Sequence, residues 1–250
     1  MTPRTRFRRA AVTAALLTVT AVAAPAGAQA APTVYAAASL REAFPEIDRR
    51  PTFNFAGSNQ LQLQIERGAP ADVFASASPN EAQALFRAGR CTRPVTFATN
   101  ILVLLVPNGN PGNVRSVYSL RSGGRRLAIG SAGVPIGAYT RRLLSRMRLS
   151  SILRSNTVSN ESNVSGVVSK VALGSADAGF TYVTDGRIAA DRVNTIRLPR
   201  WAQPPVRYQI CAVRRPGADT AGARAFIKRI RGTRGRRILR RGGFGLPPRG

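Results

Sequence analysis

Hydrophobic and polar positions along this chain fall into two alternating kinds of stretch. Short apolar runs predict buried strands, and segments whose apolar residues recur every third or fourth position predict amphipathic helices. Val34-Tyr-Ala-Ala-Ala38 predicts a strand, followed after Ser39 by a helix through Leu40, Phe44 and Ile47. Thr52–Phe55 predicts a second strand, Gly57 a turn, and Ser58 the N-cap of a helix through Leu61 and Ile65. Two strand–serine–helix units in succession predict a βαβα layout with a parallel sheet. Ligands of such sheets sit beyond the carboxyl ends of the strands, where both serines fall. A serine at a helix start presents its hydroxyl beside free backbone N–H groups, an arrangement that binds anions. An ordinary capped helix gives the same local pattern. The repetition of the device is what singles out Ser39 and Ser58.

The same alternation continues. Ala71–Ala75 predicts a strand, and Pro79–Ala88 a helix closed by Gly89. Val95–Val106 is an apolar run longer than an ordinary strand, the length needed to cross between two lobes. Arg126–Ile129 predicts a strand, and Tyr139, Leu143 and Met147 mark a helix. Val158–Val164 opens a helix carrying Val167, Val168 and Val171 and ending at Gly174. Ala176–Gly186 predicts a strand closed by an Asp185-Gly186 turn, and Val206–Val213 a second long strand, the candidate return crossing. Basic helices over Ala221–Ile230 and Arg234–Leu239 finish the chain. The fold class is α/β, and 250 residues suffice for one large domain or two small ones.

The N-terminus reads as an export signal. Arg4, Arg6, Arg8 and Arg9 precede the apolar Ala10–Ala24, and Ala28-Gln29-Ala30 offers a cleavage site. Residues 1–31 are therefore expected to be removed, leaving a soluble protein in the periplasm or cell-wall zone. Neither cysteine lies near the cleavage site, so a lipid anchor is not expected there.

Charge changes the picture less than its size suggests. The chain carries 38 Lys and Arg against 11 Asp and Glu, a net +27, of which the four signal arginines leave +23. Such an excess raises the question of nucleic-acid binding. The arginines are spread along the chain and are not interleaved with stacking aromatics, and export removes the usual target. A basic surface that attracts anions is the reading that remains, with a wall- or polyanion-binding protein as its extreme form. Histidine is absent, which excludes Ser-His-Asp and Cys-His catalysis and His-ligated metals. A G-x-S-x-G elbow is also missing, so no enzyme is expected. Cys91 and Cys211 are expected to pair in an oxidising compartment, two buried thiols being the alternative. Each lies near a proposed crossing, which places the pair close to the hinge.

Seven segments in order resemble the periplasmic molybdate-binding proteins of ABC uptake systems. They are Val34–Leu40, Gly57–Leu61, Gly68–Ala75, Asn100–Pro107, Val134–Tyr139, Ala176–Asp185 and Arg240–Pro247. The resemblance implies a type II, two-lobed periplasmic-binding-protein fold, with two crossing strands and a ligand cleft between the lobes. Lobe 1 would comprise 32–98 and 213–250, and lobe 2 99–212. It also implies molybdate or tungstate as ligand, no cofactor, a monomer, and an ABC permease as partner. Another tetrahedral oxyanion such as sulfate is the alternative. The ligand-binding groups it implies are the hydroxyls of Ser39, Ser58 and Tyr182 and the backbone N–H groups of Ile136 and Val164. The chain departs from the pattern at Ile136, where a small residue is common, and at Ser165, where a charged one is. An unprotonated dianion needs only donors, and these supply them without a buried countercharge.

Overall fold

The computed structural model describes residues 31–247, so the signal segment up to Ala30 lies outside the described residues. The chain runs β1 (Thr33–Ala37), α1 (Ala43–Ile47), β2 (Thr52–Ala56), α2 (Ser58–Glu66), β3 (Val73–Ser76), α3 (Pro79–Arg87) and β4 (Val95–Asn100). A second set follows: β5 (Leu102–Pro107), β6 (Leu127–Gly130), α4 (Pro135–Arg146), α5 (Ser151–Asn156), β7 (Thr157–Glu161), α6 (Val164–Ala172), β8 (Ala178–Tyr182), α7 (Val183–Ile188) and β9 (Val193–Arg197). The return is made by β10 (Val206–Ala212), α8 (Thr220–Arg231) and α9 (Thr233–Arg241).

The strands form two five-stranded sheets, β2-β1-β3-β10-β4 and β7-β6-β8-β5-β9. Each is mixed in the same way. β1 lies parallel between β2 and β3, and β6 parallel between β7 and β8. β10 then enters the first sheet antiparallel to β3 and β4, and β5 the second antiparallel to β8 and β9. Each sheet is the floor of one lobe, in the expected α/β, two-lobed arrangement.

The crossings differ from the sequence reading in a way that moves the lobe boundaries. Val95–Val106 is two strands in different sheets, broken at Ile101, which is 50% exposed. The return passes through the segment before Val206, where the Gln203 side chain stands in for a strand partner. Its Oε1 accepts from the Leu102 N–H at 2.9 Å and its Nε2 donates to the Leu102 carbonyl at 2.8 Å. The boundaries therefore fall at Ile101 and ahead of Val206, instead of after residues 98 and 212, and β10 belongs wholly to the first lobe. Its apolar length has another cause. A strand buried between two neighbours needs apolar residues on both faces. Val206, Tyr208, Ile210, Cys211 and Ala212 are all buried between β3 and β4.

Three local expectations also change. Val158–Glu161 is part of strand β7, and α6 begins at Val164, with Asn163 Oδ1 capping it by accepting from the Gly166 N–H at 3.2 Å. Asp185-Gly186 is not a turn but lies inside α7, with Asp185 Oδ2 accepting from the Tyr182 N–H at 3.1 Å. Cys91 and Cys211 form a disulfide with Cα atoms 6.0 Å apart. It stands at the far end of the β4–β10 pair, where Cys91 faces Val213, and not beside the hinge, where Asn100 faces Val206.

The first lobe is held by Phe44 packed against Phe53, Phe97 and Phe226, with ring centroids 6.4, 5.8 and 5.4 Å away. Burying one such side chain contributes about 1.5–3 kcal/mol. Leu61 and Ile65 fix α2 on its sheet by the same means. The second lobe packs Val103 and Leu105 of β5 against Val167 and Val171 of α6. Tyr208 of the first lobe meets Tyr182 of the second edge-on, centroids 5.9 Å apart, so the aromatic core is continuous past the crossing.

Candidate functional site

The parallel strands end in one place. β1 runs into a 3-10 turn at Ala38–Leu40 that carries Ser39. β2 passes through Gly57 into α2, whose first residue is Ser58. In the second lobe α4 starts at Pro135-Ile136 and α6 at Val164, and Tyr182 closes β8. These elements enclose a cavity lined by Ser39, Ser58, Ile136, Val164 and Tyr182, with Ala37, Ala38, Ala56 and Ala77 as small apolar wall residues. The structure thus brings all five expected residues together.

The cavity is small and lies between the two lobes. The centre of a water-sized sphere can explore about 10 Å³ of it, the room one very small polar species needs. Closure brings the lobes into contact at Gly57. A Cβ there would stand 2.4 Å from the Ser162 carbonyl of the opposite lobe, so no other residue fits this approach. The bulk of Ile136 is accommodated by another glycine. Its Cγ2 lies 2.7 Å from where a Cβ of Gly130 would be, so the side chain packs on β6.

The lining is made of donors. The first N–H groups of α2, α4 and α6 have no partner within their own helices and carry the positive end of each helix dipole. Ser58 is not the N-cap of α2, a place held by Gly57. Its Oγ accepts instead from the Ala77 N–H at 3.0 Å. Ser39 Oγ lies 2.9 Å from the Tyr208 hydroxyl. The Tyr182 hydroxyl is buried and, among the described residues, has no hydrogen-bond partner. Burial, reinforced by Tyr208, Tyr139, Asp185 and Glu81, pushes its pKa well up, so it remains a neutral O–H donor. A buried hydroxyl left unpaired costs about 1–3 kcal/mol, which calls for an acceptor in the cavity. Among the described residues, no charged side chain lines it. Asp185 is bound to the Tyr182 N–H and Glu161 to the Ser159 hydroxyl, and neither reaches the lining. A larger groove of about 680 Å³ between β4 and the α8–α9 pair is open and holds none of the five residues.

Sequence reasoning missed Ala77 and Tyr208. Ala77 acts through its backbone, which no residue type announces. Tyr208 lies 169 positions from Ser39, on a strand whose apolar pattern reads only as core.

The sequence profile of the bacterial extracellular solute-binding proteins matches residues 32–245. The chain belongs to this family. A molybdate-binding protein ModA of Mycobacterium tuberculosis H37Rv is 36% identical over 240 residues, covering 89% of this chain and 90% of that protein. Two solved structures share the solute-binding fold. The periplasmic molybdate-binding protein of Azotobacter vinelandii superposes with a TM-score of 0.76 at 24% identity, covering 86% of this chain and 100% of that one. The sulfate-binding protein SubI of M. tuberculosis gives 0.72 at 16%, covering 86% of each chain. Among the described residues, no helix is long and apolar enough to cross a membrane.

Proposed function

We propose that this solute-binding protein captures molybdate, and equally tungstate, outside the cytoplasm and delivers it to an ABC permease. The observation that carries the reading is the convergence of three hydroxyls and three helix starts on one small cavity between the lobes that no charged side chain among the described residues lines. A tetrahedral dianion with no proton satisfies every one of these donors. The helix dipoles and hydroxyls offset its desolvation, where a buried countercharge would carry a penalty of its own. The M. tuberculosis relative, named for molybdate binding, supports the same ligand.

The protein acts as an exported monomer, without cofactor and without catalysis. Among the described residues, its cavity offers no base, no nucleophile–base pair and no metal-ligand cluster. Titration calorimetry with molybdate, tungstate, sulfate and phosphate is the deciding experiment. Tight uptake of the first two, one ion per chain, is expected; no heat with either would refute the reading. Sulfate is the second candidate, favoured by the fold shared with a sulfate-binding protein.

A further inference from the structure

We propose that Asn100 and Tyr208, neither of which lines the cavity, fix the direction of the Ser39 hydroxyl, so that the site rejects oxyanions carrying a proton. The proposal rests on the oxyanion reading above and names what sets its selectivity.

The direction follows from a chain of hydrogen bonds in which one assignment gives every hydroxyl proton an acceptor once an anion fills the cavity. The Ile101 N–H donates to Asn100 Oδ1 at 3.0 Å, which fixes the orientation of that amide. Asn100 Nδ2 then donates to Thr184 Oγ1 at 3.0 Å and to the Tyr208 oxygen at 3.4 Å. An amide nitrogen has no lone pair to offer, so the Tyr208 oxygen must accept. The single phenolic proton is left for Ser39 Oγ, 2.9 Å away. Ser39 therefore accepts from Tyr208, and its own proton is directed into the cavity. Ser58 is set in the same sense by the Ala77 N–H, and the Tyr182 hydroxyl has nowhere else to donate.

Tyr208 is built to hold this role. Its ring is fully buried and contacts Phe97, Tyr182 and Phe244 edge-on, at 6.1, 5.9 and 5.5 Å between centroids. Burial also keeps its phenol protonated. It acts through Ser39, as a positioning residue. Without it, the Ser39 hydroxyl is free to turn and offer a lone pair, the one thing a protonated oxyanion needs from the site.

The test is the ratio of molybdate to hydrogenphosphate affinity at pH 8, where both ions are dianions, read by calorimetry with competition for the weaker ligand. In Tyr208→Phe, which keeps the ring, molybdate should weaken by about three- to tenfold and the ratio should fall by about tenfold. In a Ser39→Ala background the same substitution should leave the ratio unchanged, which a merely structural role would not do. Asn100→Asp is the second variant. Its carboxylate accepts from Tyr208, reverses the chain and lowers the ratio too, while its added charge acts on both dianions alike. A ratio unaltered by Tyr208→Phe, or altered equally without Ser39, overturns the proposal alone. Wild-type protein that binds no molybdate overturns it together with the reading on which it rests.

Discussion

Asn100 and Val206 face each other on the last rung between β4 and β10, and both passages between the lobes begin at this pair. Beyond it each chain makes a single link, Ile101 on one side and the Gln203 segment on the other. Two short links joined side by side form a hinge, and the donors of the site are divided between the lobes they connect. An anion bound by both lobes therefore draws them together, as hinge closure does in ligand-binding domains. Small-angle scattering should give a smaller radius of gyration with saturating molybdate than without it. Superimposable profiles would count against a clamp.

The two serines should make separate contributions to affinity. A hydroxyl bonded to a charged oxygen contributes about 1.5–3 kcal/mol. Ser39→Ala and Ser58→Ala should each weaken molybdate binding by roughly tenfold to a hundredfold in calorimetry. Ser58→Ala should also lose stability, because the buried Ala77 N–H is left without its acceptor. Unchanged affinity in both variants would remove the site from these residues.

The strand–serine–helix repeat made the parallel half of the first sheet legible in sequence, because alternation and turn chemistry are local, whereas β7 of the second sheet, with its alternately exposed residues, was read as a helix start. Of the five lining residues, Ser39 and Ser58 were legible from that repeat, and Ile136, Val164 and Tyr182 only through the resemblance. Nothing in the spacing of Ile136, Val164 and Tyr182 tells that three distant loops converge. The antiparallel insertion of β10 was hidden for a related reason: apolar length signals burial on two faces and a span between lobes equally well. β9 escaped notice because only Val193 among its residues is buried. Its edge position leaves little apolar pattern to read. Tyr208 and Ala77 act by pairing partners from elsewhere, a property that no single segment carries.

The Cys91–Cys211 disulfide closes a loop of 120 residues. Constraint of the unfolded chain by a loop of that size is worth about 4–5 kcal/mol in the chain-entropy model. The oxidised protein should be lighter by two hydrogens in intact mass measurement and should melt lower after reduction. The bond stands at the end of the β4–β10 pair away from the crossings, so reduction should leave molybdate affinity nearly unchanged below the melting range. Two thiols alkylated in the native, unreduced protein would refute the pairing.

Asp185 gives stability a pH dependence. Burial raises its carboxyl to about 7, against the smaller opposing effect of backbone N–H bonds. In the unfolded chain the same group ionises near pH 4. Over the window between, the unfolded chain releases its proton first. The stabilisation is therefore complete below about pH 4, is lost as pH rises towards about 7, and stays level above that. The loss across the window is on the order of 4 kcal/mol. Asp185→Asn keeps an oxygen for the Tyr182 N–H and removes the buried charge. It should raise the melting temperature at pH 8 and leave it nearly unchanged at pH 4. An equal gain at both values would assign the effect to packing instead.

Selectivity follows from what the cavity does not offer. Phosphate near neutral pH keeps at least one proton, and a tight phosphate site must supply an acceptor for it. The lining supplies the hydroxyls of Ser39, Ser58 and Tyr182 and the starts of α2, α4 and α6, with no carboxylate. Asp185 and Glu161, the nearest acids in sequence, are occupied by Tyr182 and Ser159. A phosphate proton would therefore face a donor, and binding should be poor. Sulfate carries the right charge and no proton, so donors alone do not exclude it. Its oxygens lie closer to the central atom than those of molybdate. In a cavity whose donors are set for the larger ion, some hydrogen bonds would be stretched or lost. One or two charged hydrogen bonds are worth about 1.5–6 kcal/mol, enough for at least tenfold discrimination. Tungstate matches molybdate in charge and size. The expected order is molybdate and tungstate together, then sulfate well below them, then phosphate. The measurement needs a non-phosphate buffer and moderate salt, because a chain of net +27 attracts any anion weakly at low ionic strength. Sulfate binding as tightly as molybdate would transfer the assignment to sulfate. Phosphate doing so would require one of the lining hydroxyls or the Asn163 amide oxygen to turn and accept its proton, since among the described residues no carboxylate lines the cavity.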